Sequence, residues 1–310
     1  MSAPPHHHHG SPQQLSGSGA DHGKLSIALA LIVGFVAFEV AFAVLANSLA
    51  LLSDAAHMLT DAIALGIAIV ALRLSRRPAK GQMTFGFRRA EILAAQFNGA
   101  TLLVLALLII YEGITRLITP PHVTGSTVLV VALVGIAVNL AATWTLSGAN
   151  RDSLNVEGAF QHIATDLAAF IATAVAGVVI MATGYFRADG IASLIVAAIM
   201  LRAAYGLLKA SGRIFLEAAP EGLDVQAIGH AMALLPGVSE VHDLHVWEVS
   251  SGFPALSAHV LVGEADDCHQ VRRSLEALLA ERFEVEHTTL QVEHTSSELI
   301  SIERAQADAR

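Results

Sequence analysis

Cysteine and charged residues are both scarce in this chain. Among its 310 residues there is one cysteine, Cys268, and only 15% are charged, against about 25% in soluble domains. A disulfide within the chain and a metal site built from several thiolates are therefore excluded. The formal net charge is -9, so no basic stripe remains to meet phosphates, and we expect no nucleic-acid partner.

The chain is rich instead in long apolar segments, which lie between residues 25 and 208. Hydrophobic residues make up 54% of the sequence. A helix that crosses the hydrocarbon core of a bilayer needs about 20 apolar residues. Six segments satisfy this requirement: Leu25–Ala46, Ser48–Leu72, Ala90–Ile118, Val123–Leu146, Ala159–Thr183 and Ile191–Leu208. The sequence therefore predicts an α-helical membrane protein with six transmembrane helices.

Most basic residues near the predicted loops lie on one side of the bilayer, and the opposite side has only Arg187 and Arg116. Arg151 is in the loop between helices four and five. The loop between helices two and three carries Arg73, Arg76, Arg77, Lys80, Arg88 and Arg89. Because loops rich in lysine and arginine stay in the cytoplasm, we expect both termini to be cytoplasmic. No targeting segment is visible, which indicates a bacterial inner (plasma) membrane.

After Pro220 the pattern becomes that of a small soluble domain. Asp224 is placed to cap a short helix that reaches Leu235. Two alternating strands, Val241–Val249 and Phe253–Val262, an amphipathic helix at 266–283 and a third strand at 284–293 follow. This αββαβ order predicts an α+β domain whose helices cover one face of a sheet.

These patterns divide the chain into four parts. We assign a disordered His-rich N-terminal tail to 1–23, the transport domain to 24–213, the α+β domain to 214–295 and a polar tail to 296–310. The four histidines His6–His9 either gather metal ions or only belong to the disordered tail.

Ionisable residues occur inside the predicted spans, where each costs about 2.5–3.5 kcal/mol on insertion scales. Helix two carries Asp54, His57 and Asp61, whose spacing places them on one helical face. Helix five carries His162 and Asp166, four residues apart and also on one face. At that cost, each of these residues needs a specific reason to lie at membrane depth.

The two matched His-x-x-x-Asp pairs predict a metal site between helices two and five. Two imidazoles and two carboxylates form the closed tetrahedral shell that zinc prefers. The predicted ligands are His57, Asp61, His162 and Asp166. The alternative is that these side chains only hydrogen-bond to neighbouring helices, but two matched pairs on separate spans favour metal binding.

Three further polar residues in the spans have less specific roles. Asp54 is either a ligand, a partner that orients an imidazole, or a step in proton passage. Glu39 in helix one and Asn139 in helix four either line the ion path or tie helices together by hydrogen bonds.

Five motifs of this sequence resemble those of the cation diffusion facilitator family, in its zinc-exporting branch of bacterial zinc, cobalt and cadmium efflux proteins. They are NSLALLSDAAHMLTD at 47–61, TFGFRRAE at 84–91, EGAFQH at 157–162, LEAAPEG at 216–222 and HDLHVW at 242–247. The resemblance extends from about Leu25 to His294.

The resemblance implies a homodimer, with six spans per protomer followed by a cytoplasmic ferredoxin-like domain. It implies the same transport site on helices two and five, and a preference for zinc over cadmium. It also implies a metal pair in the cytoplasmic domain near the dimer contact. The matching positions there are His242, His259 and Glu293, followed by His245, His269 and His287.

The sequence departs from the family pattern in two loops. Some relatives bind a further metal between helices two and three, but Arg73–Phe87 contains no His, Asp or Glu. We expect that site to be absent. Ser147–Gly158 also lacks the histidines that are common between helices four and five in the family.

The expected activity is proton-coupled export of a divalent metal ion rather than an enzyme reaction. Imidazole must be deprotonated to bind metal, so protons and Zn²⁺ compete for the same atoms. Zn²⁺ is expected as the substrate and as a ligand of the cytoplasmic domain, with no resident cofactor. Co²⁺, Ni²⁺, Fe²⁺ and Cd²⁺ stay open as substrates.

Two other classes of protein would carry similar residues. A membrane metalloenzyme with a zinc-bound water needs three ligands, an open position and usually a separate base, which two matched pairs fit less well. A membrane-tethered metal sensor would use its spans only as an anchor, and an anchor does not explain five ionisable residues on two spans.

Overall fold

The computed structural model describes residues 12–45, 49–120 and 125–295, and the chain divides into two compact units between Phe215 and Leu216. The first unit contains six long helices. They are α1 (Pro12–Leu45), α2 (Leu49–Ser75), α3 (Ala90–Ile118), α4 (Gly125–Ser147), α5 (Leu154–Thr183) and α6 (Arg187–Phe215). Each includes a stretch long and apolar enough to cross a membrane, which confirms the six predicted spans.

Several helices are longer than hydropathy predicts. α5 begins at Leu154 rather than Ala159, and α6 begins at Arg187 rather than Ile191. The apolar pattern identifies only the part of a helix that faces lipid, whereas the backbone continues until a capping residue stops it. Gly184 ends α5 in the left-handed conformation, with a φ of 68°. The predicted boundary residues Ala46, Ser48 and Val123, and the tract His6–His9, lie outside the described residues.

The first unit has two separate hydrophobic cores. The larger core is formed by α1, α2, α4 and α5, and its fully buried side chains include Leu25, Met58, Leu146 and Ile163. The smaller core is formed mainly by α3 and α6, through residues such as Leu102, Met200 and Leu207. The helices are therefore organised as a group of four and a pair.

Glycines allow α3 and α6 to approach each other closely. A Cβ atom added to Gly190 of α6 would lie 3.0 Å from the backbone oxygen of Gly113 in α3. Small residues at such contacts let helix backbones pack tightly inside a bilayer. Arg116 of α3 also forms an ion pair with Asp189 of α6. These contacts bind α3 and α6 into one pair.

The second unit contains the predicted αββαβ order. Its elements are α7 (Val225–Ala233), β1 (Val238–Ser250), β2 (Phe253–Val262), α8 (Cys268–Phe283) and β3 (His287–His294). β1 and β2 are antiparallel, β2 and β3 are parallel, and the sheet order is β1-β2-β3. α8 supplies the crossover that two parallel strands require.

Capping residues fix the starts of both helices in this unit. Asp224 accepts hydrogen bonds from the backbone of Gln226 and Ala227, as its position before the predicted helix indicated. Asp267 does the same at α8, and the backbone N–H groups of Gln270 and His269 hold its pKa below the usual value. The buried side chains of α7, α8 and the sheet, among them Met232, Leu256 and Leu275, form one core.

Candidate metal centre

Two helices of the larger group bring three ionisable side chains together. Asp61 projects from α2, and His162 and Asp166 project from α5 one turn apart. These three residues are only 1%, 3% and 6% exposed, respectively. One ligand atom from each lies within 4.8 Å of the others, a separation suited to a common metal ion. The assignment of these residues as metal ligands stays a prediction.

A short hydrogen bond joins the two helices at this cluster. His162 Nε2 lies 2.7 Å from Asp61 Oδ1. Both atoms are acceptors when deprotonated, so the bond requires a proton on one of them. These two atoms are also metal-ligating atoms in imidazole and carboxylate sites. A metal ion that binds both atoms must therefore displace that proton.

Two other atoms of the cluster are buried without a hydrogen bond. Asp61 Oδ2 and His162 Nδ1 have no partner among the described residues. Buried polar atoms are almost always paired, so each such atom calls for an explanation. An ion bound between α2 and α5 would give Asp61 Oδ2 a partner.

The other predicted residues of this site are placed in part. His57 and Asp54 lie on α2, but their side chains fall outside the described residues. Glu39 on α1 is 2% exposed and Asn139 on α4 is fully buried. Asn139 donates a hydrogen bond to the Gly135 carbonyl of its own helix at 3.1 Å, and this bond does not join two helices.

A second cluster lies on the sheet of the other unit. His242 of β1 is paired with His259 of β2, and their ring centroids are 5.4 Å apart. Asp243 joins them, with one ligand atom from each residue within 4.8 Å of the others. His242 Nδ1 also lies 3.4 Å from the Glu240 carboxylate. Two imidazoles and a carboxylate are suitable ligands for zinc.

A β-bulge explains why Asp243 is absent from the sequence prediction. Strict alternation along β1 would direct His242 and Asp243 to opposite faces of the sheet. The register shifts between His242 and His245, and Asp243 has a φ of 50°, in the left-handed region. The extra residue also brings His245 to an open cavity of about 390 Å³, which Asp243 and His259 line as well.

The remaining predicted residues of this domain lie outside the three-residue cluster. Glu293 accepts a hydrogen bond from Gln291 on its own strand. The ring of His287 contacts Phe253, with centroids 5.5 Å apart. His269 is in the first turn of α8. Their assignment as metal ligands also stays a prediction.

Two family models together match nearly all of the two units. The model described as the cation efflux transmembrane domain matches residues 25–216. The model described as the cation efflux protein, cytoplasmic domain, matches residues 220–295. The boundary between the models falls within a few residues of the division between the two structural units.

Curated relatives are similar over most of their length. The cadmium, cobalt and zinc/H(+)-K(+) antiporter of Bacillus subtilis is 38% identical over 280 residues, which cover 89% of this chain and 90% of the relative. The zinc transporter ZitB of Escherichia coli is 37% identical over 273 residues, which cover 87% of each chain. A solved structure, the metal-bound C-terminal domain of the CzcD transporter from Cupriavidus metallidurans, is 34% identical over 23% of this chain and 97% of its own, with a TM-score of 0.22. This chain therefore belongs to the cation efflux family, the cation diffusion facilitators, and is a multi-pass membrane protein.

Proposed function

We propose that this protein exports Zn²⁺, or a similar divalent metal ion, from the cytoplasm in exchange for protons. The proposed ligands are His57, Asp61, His162 and Asp166, between α2 and α5. The observation that carries the proposal is the 2.7 Å contact between His162 Nε2 and Asp61 Oδ1 inside a buried cluster, because this contact requires a proton on one of the two atoms. Metal and proton cannot occupy these atoms together, so binding of one releases the other.

The ligand types support zinc or a chemically similar ion as the substrate. Imidazole nitrogen suits Zn²⁺, Co²⁺ and Ni²⁺, whereas sites made only of oxygen suit Mg²⁺, Ca²⁺ and Mn²⁺. The names of the relatives agree with this class, because one is a cadmium, cobalt and zinc antiporter and another a zinc transporter. In this proposal Zn²⁺ is the substrate and no resident cofactor is required.

The proposed orientation of the protein in the membrane follows from the basic loop between α2 and α3. Arg76, Arg77 and Lys80 are exposed at its start, and we place this loop and both termini in the cytoplasm of a bacterial cell. We assign the second unit to homodimer formation, in agreement with its match to the cytoplasmic domain of cation efflux proteins. Glu39, Asp54 and Asn139 are proposed either to orient the metal-binding side chains or to line the proton path.

Metal uptake by sealed proteoliposomes tests this function. With an imposed pH gradient, we expect the wild-type protein to accumulate ⁶⁵Zn²⁺ on the acidic side, because protons moving down their gradient displace the metal there. An ionophore that abolishes the gradient should abolish the accumulation. Zinc accumulation that persists without the gradient would contradict proton exchange, and transport of none of Zn²⁺, Co²⁺ and Cd²⁺ would contradict metal export.

We also propose that His242, Asp243 and His259 bind a metal ion in the second unit. In full-length protein that carries Asp61→Asn, so that the membrane site does not contribute, His259→Ala should weaken zinc binding at least about ten-fold. Loss of a residue that merely orients a ligand already costs about 10–100-fold in metal affinity. Isothermal titration calorimetry measures this change.

The matched control for this measurement is His230→Ala, an exposed histidine on α7 outside the cluster. The His230→Ala variant should bind zinc with the same affinity as the protein that carries Asp61→Asn alone. Equal affinity in the His259 and His230 variants would show that the sheet cluster does not bind zinc.

A further inference from the structure

One carboxylate joins three helices at the membrane face that holds the α2–α3 loop. Glu91, in the first turn of α3, accepts a hydrogen bond from Ser75 Oγ of α2 at 2.5 Å and another from Ser153 Oγ of α5 at 2.8 Å. We call Ser75, Glu91 and Ser153 the clasp. Hydrogen bonds to an ionised acceptor are stronger than those between neutral groups. The clasp therefore holds the ends of α2, α3 and α5 together.

The role of Ser153 in the clasp replaces its usual local role. It occupies the N-cap position of α5, where a serine hydroxyl normally bonds to a backbone N–H of the first turn. Here the side chain makes no capping hydrogen bond. The hydroxyl is used for a contact with a residue 62 positions away in sequence, so the clasp is a tertiary feature rather than a by-product of capping.

A second contact lies between the clasp and the metal cluster. Asn155 of α5 is fully buried, and its Nδ2 donates to the Ala68 carbonyl of α2 at 2.8 Å. Ala68 is seven residues from Asp61 on α2, and Asn155 is seven residues from His162 on α5. Seven residues are about 10 Å along a helix. Two layers of contacts, first the clasp and then the Asn155–Ala68 hydrogen bond, therefore separate the cluster from the membrane face that holds the α2–α3 loop.

The clasp also crosses the boundary between the two helix groups. Glu91 belongs to α3, in the pair with its own core, whereas Ser75 and Ser153 belong to the group of four. Transporters expose a site alternately to each side largely by moving one such group against the other. Asn98 lies at the same boundary, because its Nδ2 is 3.5 Å from the position of a Cβ added to Gly158 of α5.

We propose that Glu91 is a gating residue. Its carboxylate holds the pair α3–α6 against α2 and α5 and closes the route from the face of the α2–α3 loop to Asp61 and His162. Opening of the site toward that face requires both hydroxyl bonds of the clasp to break. This role rests on the proposed transport function, in which the site must open to that face in each cycle.

Cysteine labelling from each membrane face tests the gate. The natural cysteine is replaced by Cys268→Ser, and Asn98→Cys supplies the reporter at a position that is 1% exposed. Both side-chain polar atoms of Asn98 lack a hydrogen-bond partner among the described residues, so the smaller side chain breaks no described bond. A membrane-impermeant maleimide is then applied to sealed vesicles from one face or the other.

We expect Glu91→Ala to raise the labelling rate from the loop face roughly ten-fold, since two charge-assisted bonds are lost. Ser153→Ala removes one bond and should give a smaller rise from the same face. Ser147→Ala is the matched control, because the bond described for that hydroxyl runs to the Trp144 carbonyl of its own helix at 2.7 Å. The Ser147→Ala variant should be labelled at the same rate as the protein that carries only Cys268→Ser and Asn98→Cys.

Unchanged labelling in both clasp variants would overturn the gate. An equal rise from both faces would also overturn it, since general loosening of the helices exposes the reporter in both directions. Labelling requires neither metal nor a pH gradient. A protein that shows the predicted labelling but no transport would therefore overturn the proposed function and leave the gate intact.

Discussion

Asp61→Asn should lower metal transport at least about 100-fold while the protein still folds. Asn has the shape of Asp and retains an oxygen that can bond to His162, but it lacks the negative charge that a divalent cation requires at a buried site. Loss of a residue that only orients a metal ligand costs about 10–100-fold in affinity, so loss of the ligand charge itself should cost more. Initial rates of ⁶⁵Zn²⁺ uptake into proteoliposomes measure the effect.

Asp152→Asn is the control with the same chemical change. Asp152 is exposed between α4 and α5, outside the cluster, and should leave the uptake rate unchanged. Size-exclusion profiles and helical circular dichroism of the two variants should match those of the wild type. Asp61→Asn protein that transports zinc at the wild-type rate would show that the buried contact with His162 is only structural.

His162→Asp should change which metal is transported. It replaces one of the two proposed imidazole ligands by a third carboxylate, and additional oxygen ligands suit Mn²⁺ better than Zn²⁺. We expect the ratio of Zn²⁺ to Mn²⁺ transport to fall at least about ten-fold. Initial rates of radioactive Zn²⁺ uptake and radioactive Mn²⁺ uptake into proteoliposomes, measured in parallel, give this ratio.

His162→Asp both removes an imidazole and adds a negative charge, whereas His162→Asn only removes the imidazole. A comparison of the two variants therefore separates the two effects on transport. The His162→Asn variant should lose zinc transport without gaining manganese transport, because no new anionic ligand is present. Manganese transport that rises equally in the two variants would mean that the charge of the ligand does not select the metal. An unchanged ratio in His162→Asp would remove His162 from the metal-binding residues.

The sequence predicts the membrane-embedded part of this fold well, for a clear physical reason. Lipid imposes a length and an apolar composition on each spanning helix, and the bounds of α3, Ala90–Ile118, agree at both ends. Helical spacing also places His162 and Asp166 on one face of α5. Asp61 and His162 come from different helices, so their contact is a tertiary one. The two matched His-x-x-x-Asp pairs predicted that these helices face each other, and the structure contains the contact.

Features that depend on contacts distant in sequence could not be predicted. Glu91 belongs to the motif at 84–91, but the sequence did not indicate its contacts, because its two hydroxyl partners are 16 and 62 residues away. Asp243 was missed because a bulge reverses the alternation on which strand patterns depend. The run from Asp152 to Gly158 contains polar residues that resemble a loop, yet α5 begins within it at Leu154.

Proton release on zinc binding tests the central claim most directly. Full-length protein is titrated with Zn²⁺ in weakly buffered detergent solution while a pH indicator is monitored. In this protein alanine replaces His242 and His259, to silence the second cluster, and also replaces His6–His9, so that the N-terminal histidines do not bind metal. The account predicts that zinc binds and releases protons, and that Asp61→Asn abolishes both signals. Undiminished zinc binding in that variant, or binding by the parent without proton release, would contradict exchange of metal and proton at Asp61 and His162.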